Sequence, residues 1–210
     1  RRVVSTVTEG TRLIGEVKET EIEEVTTTHL YQHRLKADNP IAITFDGTDA
    51  GGLSVDSVGD VQLAGAVRNQ LGSTTITSTS GSLVTTDPSV IVDVGNATFS
   101  GLGGRIGGMG SEFRVDQTPG STLTATALTG IDLREVSGDM NVLSARATAR
   151  DANPANAVTG AVRLVADGSI LGSGTGPHVE GSAIELVSVN GTIGTGAAPL
   201  VLREEARGLT

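Results

Sequence analysis

Cysteine and tryptophan are absent from this 210-residue chain, which carries one Tyr and three Phe. Without Cys there can be no disulfide. That fits a cytosolic protein, and equally a bacterial exported protein that avoids thiols. A compact globular core leans on aromatic side chains for large buried areas. Here the apolar content is Val, Ile, Leu and Ala, which suits many small, similar layers. Basic charge is also short. Lys and Arg number 15 against 24 Asp and Glu, for a formal net charge of −9. This disfavours nucleic acid, whose phosphates demand clustered Lys and Arg, and an anionic membrane surface. No apolar run approaches the roughly 18 residues of a membrane span. No initiator Met or signal peptide opens the chain, and both ends read as cut from something longer.

What is plentiful is glycine, at 29 of 210 residues, about twice the usual share. Much of it recurs in register. Gly168-Ser169-Ile170 and Gly191-Thr192-Ile193-Gly194 lie 23 residues apart (191 − 168). Gly81-Ser82-Leu83 and Gly104-Arg105-Ile106-Gly107 lie 23 apart as well (104 − 81). The second pair follows the first at an offset of 87 residues (168 − 81) with no insertion. Gly138-Asp139-Met140 echoes Gly59-Asp60-Val61. Internal repetition of this kind points to a repeat architecture.

Residues 1–40 differ from the rest. The stretch from Glu16 to Val25 holds much of the acidity, Thr26-Thr27-Thr28 follows, and residues 11–36 read as long strands. They form a packing or linking segment before the repeats of residues 41–210. From Ile41 onward short alternating strands are separated by Gly-rich turns: Ile41 to Phe45, Phe113-Arg114-Val115, Leu123 to Ala127, Ile131-Asp132-Leu133 and Val162 to Val165. A sandwich prefers longer strands and aromatic plugs. The 23-residue spacing predicts an all-β chain folded as a right-handed parallel β-helix, a β-solenoid of about eight to ten coils, with a less regular N-terminal β extension. In that reading Gly81, Gly104, Gly168 and Gly191 sit at the same corner, where glycine allows a left-handed backbone. Leu83, Ile106, Ile170 and Ile193 then point into the interior.

Thr75 to Leu83, Gly101 to Gly107, Gly130 to Asp139, Ala161 to Ile170 and Gly191 to Leu200 resemble the repeats of giant bacterial surface exoproteins of the filamentous-haemagglutinin and adhesin type. The resemblance covers about residues 40–210. It implies a secreted or cell-surface rod, filament or coat, with adhesion among its expected roles, whose partners are neighbouring segments or other copies of the same protein and a host or neighbouring-cell surface. The Gly-Gly-x-Gly-x-Asp nonapeptides of calcium-bound β-rolls are absent, so no calcium requirement is carried over and no cofactor is expected.

Chemistry-bearing residues are sparse. His29 and His33 flank Tyr31 and share a side in either helix or strand, but no third ligand lies near, and surface histidines are the simpler reading. Asp46-Gly47-Thr48-Asp49 begins like a calcium loop yet lacks the later ligands, so a turn is expected. Asp56, Asp60, Asp132 and Asp139 would have to face one glycosidic bond in pairs to cleave sugar. Gly-Asp recurs as a turn element instead, and sugar sites want aromatic platforms. Gly101 to Gly108 has no following Lys-Ser or Lys-Thr, so it reads as a corner, not a phosphate loop. The sequons at Asn96 and Asn190 read as accidental. The sequence therefore predicts no catalytic, cofactor or metal residues and a structural role without enzyme activity. A polysaccharide-binding or -cleaving β-helix and a phage tail-spike-like module are the alternatives.

Overall fold

The computed structural model describes residues 11–14, 30–33, 42–45, 50–108, 111–149 and 160–204. Every described regular element is a strand. His29, Asp46 to Asp49 and most of residues 1–40 lie outside the described residues, as does 150–159.

The strands wind into a parallel β-solenoid. One face is a ladder of eight rungs: β2 (Leu30–His33), β4 (Gly52–Ser57), the second halves of β6 (Val67–Ser78) and β8 (Ile91–Gly101), then β11 (Leu123–Ala127), β13 (Met140–Ala147), β16 (Val179–Gly181) and β18 (Leu202–Glu204). Seven rung spacings of about 4.8 Å give this face a height of about 34 Å. A second face stacks β5 (Val61–Leu63), β7 (Leu83–Thr85), β9 (Arg105–Ile106) and the starts of β12 (Gly130–Glu135), β14 (Ala161–Ala166) and β17 (Ala183–Ser188). A third joins β3 (Ala42–Phe45), the first halves of β6 and β8, β10 (Phe113–Gln117) and the ends of β12, β14 and β17. The less regular N-terminal extension is visible as β1 (Thr11–Ile14), which pairs antiparallel with β3, whereas every other ladder between strands is parallel.

Period-two alternation places one side chain of each pair inside. β10, β11 and β12 read buried at Phe113, Val115, Leu123, Ala125, Ile131 and Leu133. Equivalent positions stack, so Val55, Ile76, Phe99, Ala125, Ala145 and Val179 form one continuous column. Each fully buried Leu or Ile contributes roughly 1.5–3 kcal/mol. Phe99 and Phe113 fill the middle of the prism edge to face, with centroids 5.0 Å apart. Ala125 and Ala145 follow Phe99 in the same column.

The coil is not of fixed length. Down the first face, steps run from 20 residues (Ala125 to Ala145) to 34 (Ala145 to Val179). The corners move too. In β6 and β8 the chain passes from the third face to the first without a break. In β12, β14 and β17 it passes from the second to the third.

Candidate functional site

The repeated glycine motif builds a hydrogen-bonded stair twice. Asp60 Oδ1 accepts the N–H of Ser82 at 2.7 Å, and Ser82 Oγ accepts that of Arg105 at 3.2 Å. Asp139 Oδ1 accepts the N–H of Ser169 at 2.6 Å, and Ser169 Oγ accepts that of Thr192 at 3.2 Å. The serine three residues before the glycine closes both corners. Ser78 Oγ donates to Gly59 O at 2.8 Å and Ser188 Oγ to Gly168 O at 2.8 Å.

Two expectations about this motif need correcting. The two copies do not share a stack. Leu83 pairs with Ile106, which continues to Ile131, Val162 and Ile184, whereas Ile170, in β15 (Ile170–Gly172), lies between Met140 and Ile193. Four coils upward from Leu83 span 101 residues (184 − 83). An 87-residue offset therefore stops one face short. Nor are Gly81, Gly104, Gly168 and Gly191 left-handed; positive φ falls instead on Gly107 (69°) and Gly194 (67°), which end their motifs. The four are glycine because the coils touch there. A Cβ on Gly81 would lie 2.6 Å from Asp60 N, and one on Gly191 2.5 Å from Ser169 N. Leu83, Ile106 and Ile170 are fully buried, but Ile193 is 48% exposed. It stands on the last described rung of its stack, with only Ile170 beneath it.

The acidic residues considered as sugar-cleaving pairs are not brought together. Asp56 accepts from Ser54 Oγ, Asp60 and Asp139 cap the two stairs, and Asp132 meets Arg163. Among the described residues no group of three His, Cys, Asp or Glu is placed to hold a metal. His178 is buried, and its Nδ1 accepts the N–H of Val201 at 2.9 Å. Of the sequon residues, Asn96 Oδ1 accepts from Thr122 N at 3.0 Å and Asn190 Nδ2 donates to Asp167 at 3.2 Å.

What the geometry does assemble is charge in ladders. Asp132, Arg163 and Glu185 are register partners on successive rungs. Arg163 reaches Glu112 at 2.6 Å, Asp132 at 3.0 Å and Glu185 at 3.4 Å. Hydrogen bonding to Glu112, ahead of the Asp132 contacts, holds the guanidinium above its usual range. Burial raises Asp132 against the pull of Arg163. On the first face Arg146, Glu180 and Arg203 alternate likewise, at 3.2 and 3.8 Å.

A groove of about 590 Å³ runs along the corner between the third and first faces, lined by Gln70, Asp93, Asp116, Thr118, Ser137 and Asp139 among others. Gln70, Asp93, Asp116 and Asp139 follow one another at 23-residue steps (93 − 70, 116 − 93, 139 − 116), a signal present in the sequence. Its carboxylates are engaged within the fold: Gln70 donates to Asp93 at 2.7 Å and Ser137 to Asp116 at 2.5 Å. Burial raises the Asp93 carboxyl, with the Asp116 charge adding to it. Behind the groove Glu135 is wholly buried, and desolvation pushes its carboxyl up to about 8.

Among the described residues no helix is long and apolar enough to cross a membrane. Comparison with protein-family models, with curated proteins and with solved structures finds no match.

Proposed function

We propose that this chain is a structural β-solenoid segment of a giant exported bacterial surface protein of the filamentous-haemagglutinin type, a stiff rod, filament or coat without catalytic activity. The observation that carries the reading is the eight-rung parallel ladder, in which an aliphatic and aromatic column from Val55 to Val179 stacks rung on rung. Stacked repeats distribute stability along an axis, which suits a spacer. The resemblance of its repeats to such exoproteins supplies the surface location and the partners: neighbouring segments of the same protein, and a host or neighbouring-cell surface. Contacts would come from exposed segments such as residues 144–160, of which 144–147 belong to β13 and 150–159 lie outside the described residues.

Electron micrographs of the native material test it together with protease shaving of intact cells. Thin rods or filaments, lost from the cell surface on shaving, are expected. Globular particles retained inside the cell would sink the reading.

The groove beside Asp93 and Asp116 favours a second reading, a polysaccharide-binding face. It is the weaker one. Its carboxylates already have partners, and no aromatic platform lines it. Retention on an immobilised glycan panel, abolished by Asp116→Ala, would support it.

A further inference from the structure

The corner between the third and first faces gathers carboxylates without a matching cation. Asp93 and Asp116 are register partners on adjacent rungs, and Asp139 lines the same groove. Like charges directly opposite one another in a ladder repel. Burial, with the Asp116 charge adding to it, leaves the Asp93 carboxyl raised although Gln70 and Arg68 pull it down. No Lys or Arg among the described residues lines the groove. Each carboxylate spends one oxygen on the fold: Asp93 Oδ2 accepts from Gln70 Nε2, Asp116 Oδ1 from Ser137 Oγ and Asp139 Oδ1 from the N–H of Ser169. The second oxygen of each accepts no hydrogen bond among the described residues. An independent feature lies in the same wall. Gln117 lines the groove and is only 5% exposed. Its Oε1 accepts the N–H of Asn141 at 3.2 Å, which sets the amide's orientation, but its Nε2 is buried with no partner. A buried amide donor left unpaired is costly and marks a place for an acceptor.

We propose that this groove binds a protonated amino sugar of a cationic glycan, with its ammonium between the free oxygens of Asp93 and Asp116 and a hydroxyl or ring oxygen accepting from Gln117 Nε2. The inference rests on the polysaccharide-binding reading of the groove and names the class of sugar. An ammonium midway between two rungs about 4.8 Å apart is within hydrogen-bond reach of both carboxylates. Such charge-assisted bonds are the strong ones, and here they stand in for the missing aromatic platform. A neutral sugar leaves the facing carboxylates uncompensated. A polyamine supplies the cation but no acceptor for Gln117. A metal ion supplies no acceptor either, and no group of three His, Cys, Asp or Glu among the described residues is placed to hold one. The net charge of −9 favours the approach of a cationic polymer. The groove, at about 590 Å³, has room for a short run of sugars.

Calorimetric titration of the whole chain with a glucosamine tetramer, in mildly acidic buffer of low ionic strength, tests this. Saturable binding is expected. The N-acetylated tetramer has the same length without the cations and should bind about tenfold more weakly. Spermine has as many amines without acceptor oxygens and should also bind more weakly. Asp116→Asn removes one charge yet keeps an oxygen for Ser137 Oγ, so the corner should stay intact while affinity for the glucosamine tetramer falls about tenfold. Asp56→Asn removes a charge outside the groove and should leave affinity unchanged. Equal affinity for the free and N-acetylated tetramers would overturn this inference and leave the glycan reading standing. Spermine binding at least as tightly, affinity unmoved by Asp116→Asn, or no binding of the glucosamine tetramer would each overturn the inference. Failure of every glycan to bind would sink the glycan reading with it.

Discussion

Glu135 Oε2 accepts the backbone N–H of Gln117 at 2.9 Å, and Glu135 is the one carboxylate residue among the described buried side chains. Glu135 Oε1 accepts a second N–H, from Ser137, at 3.3 Å. No cation is paired with it among the described ion pairs. Two amide donors do not offset the loss of water around a charge, and the carboxyl is pushed up from 4.5 to about 8.

The folded protein should therefore lose stability as pH rises. Between 4.5 and about 8 the native state keeps a proton that the unfolded chain has released. Native binding exceeds unfolded binding in that window, so the unfolding free energy falls with pH and levels off above it. At its full extent the effect is about 5 kcal/mol, an upper bound from 1.36 kcal/mol per unit. Urea unfolding at pH 5 and pH 8 should show the decline. Glu135→Gln should flatten it, whatever the change in absolute stability. An unchanged slope in that variant would assign the effect elsewhere.

The glycines give a paired test. A Cβ at Gly168 would stand 2.8 Å from Gly138 C, but one at Gly138 itself meets nothing within 4 Å. The same contrast holds between Gly81 and Gly59. Gly168→Ala and Gly81→Ala should each cost about 1–3 kcal/mol, the usual penalty for overpacking. Gly138→Ala and Gly59→Ala should be near neutral. Equal losses in all four would mean that the backbone conformation, not the close approach, demands glycine.

These positions also show what was legible in the sequence. The alternation of Ile131 with Leu133 and of Phe113 with Val115 announced strands and their buried side. The 23-residue step between Leu83 and Ile106, and between Ile170 and Ile193, is one coil. Which face a motif occupies was not legible. The corner stair is closed by bonds to the rung below, so it can form at any edge. Its position depends on the accumulated lengths of coils that vary from 20 to 34 residues. Small size at a corner is likewise ambiguous, because a left-handed backbone and a tight stack both select glycine. Glu135 was legible by parity, as the inward position after Ile131 and Leu133. The register pair Asp93 and Asp116 was legible by the coil period, whereas Gln70 and Asp139 keep the 23-residue step without being register partners, since Asp93 pairs with Arg68 and the next coil is 20 residues.

Arg163 is the hub of its ladder. Replacing it with Met leaves Glu112, Asp132 and Glu185 facing one another without the guanidinium that joins them. Partial exposure of the site limits the loss to about 1 kcal/mol. Asp132 should then be raised further, since burial would act without its main counterweight. Added salt should narrow the difference between the variant and the parent by screening the three carboxylates. Thermal melts at low and high ionic strength check this, and a gap that is insensitive to salt would point to lost packing of the Arg163 stem.

Ile170 and Ile193 occupy the same place in successive rungs, so their truncation isolates the effect of a covering coil. Ile170 is wholly buried between Met140 and Ile193, whereas Ile193 is 48% exposed. Ile170→Ala leaves a cavity that neighbours on both sides cannot close, and should cost about 2–5 kcal/mol. Ile193→Ala opens no enclosed void and should cost under about 1 kcal/mol. The two variants unfold from the same stack, so differences in the unfolded chain largely cancel. Denaturant midpoints at constant slope give the comparison directly. Equal losses at the two positions would mean that enclosure by a neighbouring rung does not set the cost.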